Sequence, residues 1–289
     1  MNKEQIVLEK GKLAGAIFTV FALLYIIISV LGGALISGLG ETSAVRYSIS
    51  ALFSPIAFII TIIFFKAYKK EDREYLGVNK TSVENFALGL MLFLAMFLGL
   101  STINVKFITF LESVNIKAPQ VNIVINGFLD YALLVFSLAV IPAIVEELLF
   151  RGLVLNHTIG KNKWATYFAV GFLFAIFHGS LSQLLYQFVY GVLLCALTDK
   201  ARSVFPAMLA HFLNNFVVLT AEYIGFDLGV IISNIIVIIL GLILLVGFIF
   251  LIVYKGKKHA KESDVSGLFL PYGLFGVLVF LMLIILGTL

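Results

Sequence analysis

The chain has 289 residues, 61% of them hydrophobic and 12% charged, with a net charge of +4. The charged share is about half that of a soluble domain, and a water-soluble fold of this length does not bury so much apolar surface. The bilayer is therefore the expected solvent; one cysteine, Cys195, excludes an intrachain disulfide framework, and no nucleic-acid partner is expected.

Apolar runs at 13–37, 47–66, 86–104, 128–150, 164–179, 183–198, 204–222, 229–254 and 267–287 predict an all-α, polytopic helical membrane protein with eight to nine transmembrane helices. The whole chain, 1–289, reads as a single transmembrane domain. The first run lacks a small-residue cleavage site and reads as an anchor. The fifth and sixth runs, roughly 16 residues each, fall short of the ~20 needed to cross and predict a hairpin that does not fully span. With the N-terminus inside, 17 of the 20 lysines and arginines lie in cytosolic segments, and only Arg46, Lys106 and Lys117 lie outside. This asymmetry predicts a cytosolic N-terminus. Residues 67–85 form the longest charged cytosolic loop, and 105–127 an outer segment with an interfacial helix; both read as solvated connections.

An ionisable group inside a span costs several kcal/mol unless it is paired or wetted. Three spans break that rule. The fourth carries Glu146, Glu147 and Arg151 in AIVEELLFRG, the fifth carries His178, and the seventh carries His211, Asn214 and Asn215. Glu147 and Arg151 are i,i+4 and can pair, whereas Glu146 points about 100° away, free to face a cavity. Pro142 removes a backbone hydrogen bond just before Glu146, which predicts a kink and space for water. At 1.5 Å per residue, Glu146 lies roughly 18 Å from the Thr158 end, His178 roughly 21 Å from Trp164, and His211 and Asn215 roughly 12 and 18 Å from Ser203. All four fall at similar depth from one side, which predicts that they meet, with the cavity open toward the cytosol.

A carboxylate and two imidazoles around a wet cavity suit hydrolysis, in either of two ways. In one, Glu146 is general base on a water, His178 holds that water, and His211 and Asn215 donate to the oxyanion of a tetrahedral intermediate. In the other, Glu146, His178 and His211 ligate a divalent metal such as zinc, which acidifies its bound water. There is no His-Glu-x-x-His helix, and no Gly-x-Ser-x-Gly elbow for a serine mechanism. Asn214 reads as helix–helix glue, His157 as a solvated interfacial residue, and Cys195 as a packing residue without a charged neighbour. Asn156-His157-Thr158 matches a glycosylation sequon on the wrong side for use.

These residues resemble a known family, the type II CAAX prenyl proteases and bacteriocin-processing and immunity membrane proteins (CPBP, or Abi). Glu146, Glu147 and Arg151 match its Glu-Glu-x-x-x-Arg motif, Phe174 and His178 its Phe-x-x-x-His motif, and His211 and Asn215 its His-x-x-x-Asn motif. The resemblance covers about 126–222, the expected catalytic core. It implies an intramembrane endopeptidase in which Glu146 and His178 activate water, His211 and Asn215 stabilise the oxyanion, and Glu147 and Arg151 support the site. It also implies the glutamate mechanism, with no cofactor required. Eukaryotic members cut prenylated CAAX proteins; bacterial ones are linked to peptide maturation, bacteriocin immunity and envelope regulation. The Lys- and Ile-rich style points to a bacterial plasma membrane, with a small peptide or membrane-anchored protein as substrate. The alternatives are a non-catalytic membrane regulator or immunity protein that binds a peptide or protein partner, and a proton-coupled transporter, for which the inverted repeats are missing.

Overall fold

The computed structural model describes residues 3–40, 43–69, 76–116, 123–158 and 162–256, with Gly273, 276–278, 280–281 and Ile284 near the C-terminus. Helices make up the fold: α1 (Lys3–Leu35), α2 (Ala44–Ala51), α3 (Phe53–Lys69), α4 (Val83–Ser113), α5 (Phe128–Thr158), α6 (Lys163–Phe177), α7 (Leu181–Ala201), α8 (Phe205–Ile224), α9 (Gly229–Ile232) and α10 (Ile235–Gly256). No strand occurs among the described residues.

Six stretches are long and apolar enough to cross a membrane: Gly11–Leu35, Ala44–Phe65, Val83–Ser113, Phe128–Thr158, Leu181–Ala201 and Ile235–Val253. The chain is an integral, multi-pass membrane protein. The sixth predicted run, 183–198, read as too short, is a 21-residue helix, α7, because Leu181 and Ser182 join it at one end and Asp199, Lys200 and Ala201 at the other. The fifth remains short at 15 residues. The seventh run forms α8, while the ninth lies largely outside the described residues. Where an interfacial helix was expected in 105–127, the described residues continue α4 to Ser113, and 117–122 lie outside the described residues. A helix whose backbone donors are all used internally has no reason to stop where its side chains turn polar.

Lipid supplies no hydrophobic drive between helices, so contact rests on close packing and internal polar pairs. Phe150 of α5 packs edge-on against Phe174 of α6 at 5.3 Å between ring centroids, and Phe177 of α6 meets Phe21 of α1 at 5.7 Å. Such rings bury much area in defined geometry. The α6–α7 hairpin is drawn tight at two glycines. A Cβ on Gly191 would lie 2.9 Å from Gly171 Cα, so only glycine lets these backbones approach. The outer face of α10 exposes Ile235, Ile236, Ile239, Ile243 and Val246, as lipid contact requires.

The opposite end of the bundle from residues 123–125 is tied by the segment before α4. Val204 N–H donates to Gly77 O at 3.0 Å, Asn79 Nδ2 to Arg202 O at 3.0 Å, and Ser203 Oγ to Asn79 O at 2.7 Å. The described part of the predicted solvated loop 67–85 thus docks on the ends of α7 and α8. His157, expected at a wet interface, is 2% exposed, with Nδ1 on Leu153 O at 2.6 Å. The helix runs on to Thr158 and packs against α1 there, which buries the imidazole.

Candidate active site

Three helices deliver the site. In α5, residues 147–155 wind as a π-helix directly after Glu146, and residues 135–140 do so before Ile141. Such wide turns interrupt an α-helix most often where function demands it. They flank Pro142, which has no N–H to offer the carbonyl four residues back, that of Leu138. Asn215 Nδ2 of α8 donates to Leu138 O at 3.1 Å instead. The proline thereby recruits the amide that the His-x-x-x-Asn spacing places one turn beyond His211.

Glu147 and Arg151 form the expected pair. Arg151 Nη1 lies 2.9 Å from Glu147 Oε1, with neither side chain exposed. Arg151 Nη2 also donates to Gly191 O at 3.2 Å, and its guanidinium lies 4.2 Å from the Phe174 ring centre. A buried ion pair needs this further satisfaction to offset desolvation. Glu147 Oε1 also accepts from His211 Nδ1 at 2.9 Å. The same carboxylate oxygen therefore ties α5 to α8, which sequence spacing did not reveal.

His178 closes the C-terminal end of α6, where the chain turns through Gly179 at φ +62°, and its Nδ1–H donates to Phe174 O at 2.8 Å. That bond aims Nε2 at Glu146. The Nε2 atoms of His178 and His211 lie 4.0 and 3.9 Å from Glu146 Oε2. Glu146 is 8% exposed, and this oxygen makes no hydrogen bond within the described protein. Glu146, His178 and His211 are thus brought together from three helices. Asn215 reaches the same region from beside His211, but its Nδ2 holds Leu138 and its Oδ1 accepts from Asn214 Nδ2 at 3.3 Å. Asn214 also accepts from Tyr186 at 2.7 Å, joining α8 to α7.

The donor types suit zinc, but the spacing does not close on one ion. Tetrahedral zinc with ligands at 2.0–2.1 Å places donors about 3.3 Å apart, against 3.9 and 4.0 Å here. Among the described residues no group of three His, Cys, Asp or Glu is set to hold a metal.

A cavity of about 560 Å³ abuts Asn215 and Leu138 and extends past Tyr186, Gln183 and Asn104 to Ile125 and Glu222. It lies at the end of the bundle that carries 123–125 and 225–232. Cys195 is buried, as expected. Gly191, whose carbonyl receives Arg151, was not singled out in the sequence; a glycine inside an apolar run was the available signal.

Comparison with curated proteins and with solved structures yields no match. Residues 128–217, the stretch that holds Glu146, Glu147, Arg151, His178, His211 and Asn215, match the family described as Rce1-like, type II CAAX prenyl endopeptidase.

Proposed function

We propose that this protein is an intramembrane endopeptidase that hydrolyses a peptide bond by a glutamate-activated water, without a metal. The observation that carries the reading is the convergence of His178 and His211 Nε2 on Glu146 Oε2 at 4.0 and 3.9 Å. These separations are too long for direct hydrogen bonds and suit one bridging water.

In this reading Glu146 takes a proton from the water as its oxygen attacks the scissile carbonyl carbon, while His178 Nε2 fixes the water. The oxyanion receives a hydrogen bond from His211 Nε2–H, the ring being held at Nδ1 by Glu147 Oε1. The Asn215 amide carries two hydrogens; one serves Leu138, and the second is assigned to the oxyanion. Glu146 then passes its proton to the leaving nitrogen as the C–N bond breaks. Preorganised donors in a low-dielectric site supply most of the rate enhancement.

The substrate is a small peptide or a membrane-anchored protein segment. The test separates a protease from a non-catalytic regulator: Glu146→Ala is compared with wild type in cells for whatever phenotype the gene confers. A protease loses the effect. A regulator keeps it.

A further inference from the structure

A chain of side-chain hydrogen bonds runs from α7 through α8 to α5. The Tyr186 hydroxyl donates to Asn214 Oδ1 at 2.7 Å, Asn214 Nδ2 to Asn215 Oδ1 at 3.3 Å, and Asn215 Nδ2 to Leu138 O at 3.1 Å. The direction of the chain follows from its fixed end, because a backbone carbonyl only accepts. Asn215 must turn its NH2 to Leu138, which leaves Oδ1 for Asn214. Asn214 must meet that oxygen with its own NH2, which leaves Oδ1 for Tyr186. The tyrosine hydroxyl, able to donate or accept, must then donate. A flip of Asn215 sets like against like at both of its ends, and a flip of Asn214 does so against Asn215.

The links are unequal. Adjacent residues on a helix do not normally face each other, and the bond between Asn214 and Asn215 is the long one. Asn214 turns toward its neighbour while Tyr186, on α7, holds the other end of its amide at 2.7 Å. Tyr186, Asn214 and Asn215 are half-buried and border the cavity of about 560 Å³. On that side hydrogen bonds, rather than close packing, fix the Asn215 amide.

We propose that Tyr186 and Asn214 are positioning residues, holding the Asn215 amide in the orientation that keeps its second N–H for the oxyanion. This role rests on the proposed peptidase reading. Hydrogen bonds in series also polarise one another, so the tyrosine at one end strengthens the Asn215 N–H as a donor at the other. Loss of the hydroxyl leaves Asn214 unanchored and the Asn215 amide held by Leu138 alone.

The rival role for Tyr186 is a simple tie between helices, and α8 offers a control of that kind. Tyr131 of α5 meets Thr220 Oγ1 at 3.0 Å, and that hydroxyl in turn donates to Phe216 O at 2.7 Å, away from Asn215.

The test compares Tyr186→Phe and Tyr131→Phe, each alone and combined with Asn215→Leu, in the full-length protein cleaving a quenched peptide. Tyr186→Phe is expected to lower kcat about 2- to 10-fold, the worth of one hydrogen bond, with KM unchanged, and to have no further effect once Asn215 is replaced. Tyr131→Phe is expected to leave kcat as it is. An unchanged kcat in Tyr186→Phe, an effect confined to KM, full multiplication with Asn215→Leu, or an equal loss in Tyr131→Phe overturns the proposal. A second measurement does not depend on cleavage. With isotopically labelled asparagine, the side-chain NH2 signal that disappears from the NMR spectrum in Asn215→Leu is that of Asn215. It is expected to move in Tyr186→Phe and to stay in Tyr131→Phe; a signal that Tyr186→Phe does not move overturns the positioning role. If the wild-type protein cleaves nothing, the peptidase reading falls and the oxyanion role with it, and the NMR signal alone decides whether Tyr186 sets the amide.

Discussion

His211 Nδ1 lies 2.9 Å from Glu147 Oε1, on the same oxygen that receives Arg151 at 2.9 Å. The adjacent Glu146 accepts no such bond at Oε2 among the described residues, and two imidazole nitrogens lie near 4 Å from it. Two neighbouring carboxylates are thereby separated in role. The first holds two partners at Oε1 and orients them, and in the proposed reading the second serves the reacting molecule.

That division predicts different losses at the two histidines' supports. Glu147→Gln keeps an acceptor for His211 but removes the carboxylate that holds its ring, so kcat is expected to fall about 10²-fold or more with KM little changed, as for loss of an oxyanion donor. His211→Ala is expected to fall at least as far. Steady-state kinetics on a cleavable peptide check both. A Glu147→Gln effect confined to KM contradicts the assignment.

The buried pair predicts strong coupling in stability. Arg151→Leu leaves Glu147 charged and without its main partner, a loss of about 3–5 kcal/mol. Glu147→Gln with Arg151→Leu removes both charges, so the double variant is expected to be less destabilised than the sum of the singles by 1 kcal/mol or more, the range for contacting residues. Thermal unfolding in detergent provides the measurement, and additivity is the contrary outcome.

Pro142 and Asn215 act on one carbonyl, that of Leu138. Asn215→Leu strands it at a cost of about 1–3 kcal/mol. Pro142→Ala restores a backbone N–H that can serve it. Asn215→Leu is therefore expected to destabilise less in the Pro142→Ala background than in wild type. An equal loss in both backgrounds shows that the amide does not substitute for the missing helix bond.

Gly191 predicts a steric effect. Gly191→Ala places a methyl 2.9 Å from Gly171 Cα and 3.1 Å from Phe174 Cδ1, and overpacking of this kind costs about 1–3 kcal/mol. It also displaces the carbonyl that holds Arg151. Gly33→Ala meets nothing within 4 Å and serves as the control. Equal stability of the two variants contradicts the close-packed hairpin.

The sequence made the reacting groups legible because charge is so costly in lipid that each exception stands out. Glu146, His178 and His211 were placed at one depth by counting residues, and the structure joins them. What counting missed depends on contacts between distant segments. Nothing in residues 76–81 announces that they dock on the ends of α7 and α8, and nothing in the spacing showed that His157 would be buried on Leu153 O. The π-helical turns around Pro142 were likewise visible only as an expected kink. The bond from Asn215 to Leu138 required knowing which carbonyl lay across the helix interface.

The central claim, a water activated by Glu146 without metal, is tested most directly by peptide cleavage with purified protein, products followed by mass spectrometry, in the presence and absence of a strong chelator. The account predicts undiminished wild-type cleavage under chelation and a loss of about 10²–10⁴-fold in Glu146→Gln, the usual contribution of a general base. Cleavage by Glu146→Gln at the wild-type rate, or wild-type activity abolished by chelation and restored by zinc, contradicts it.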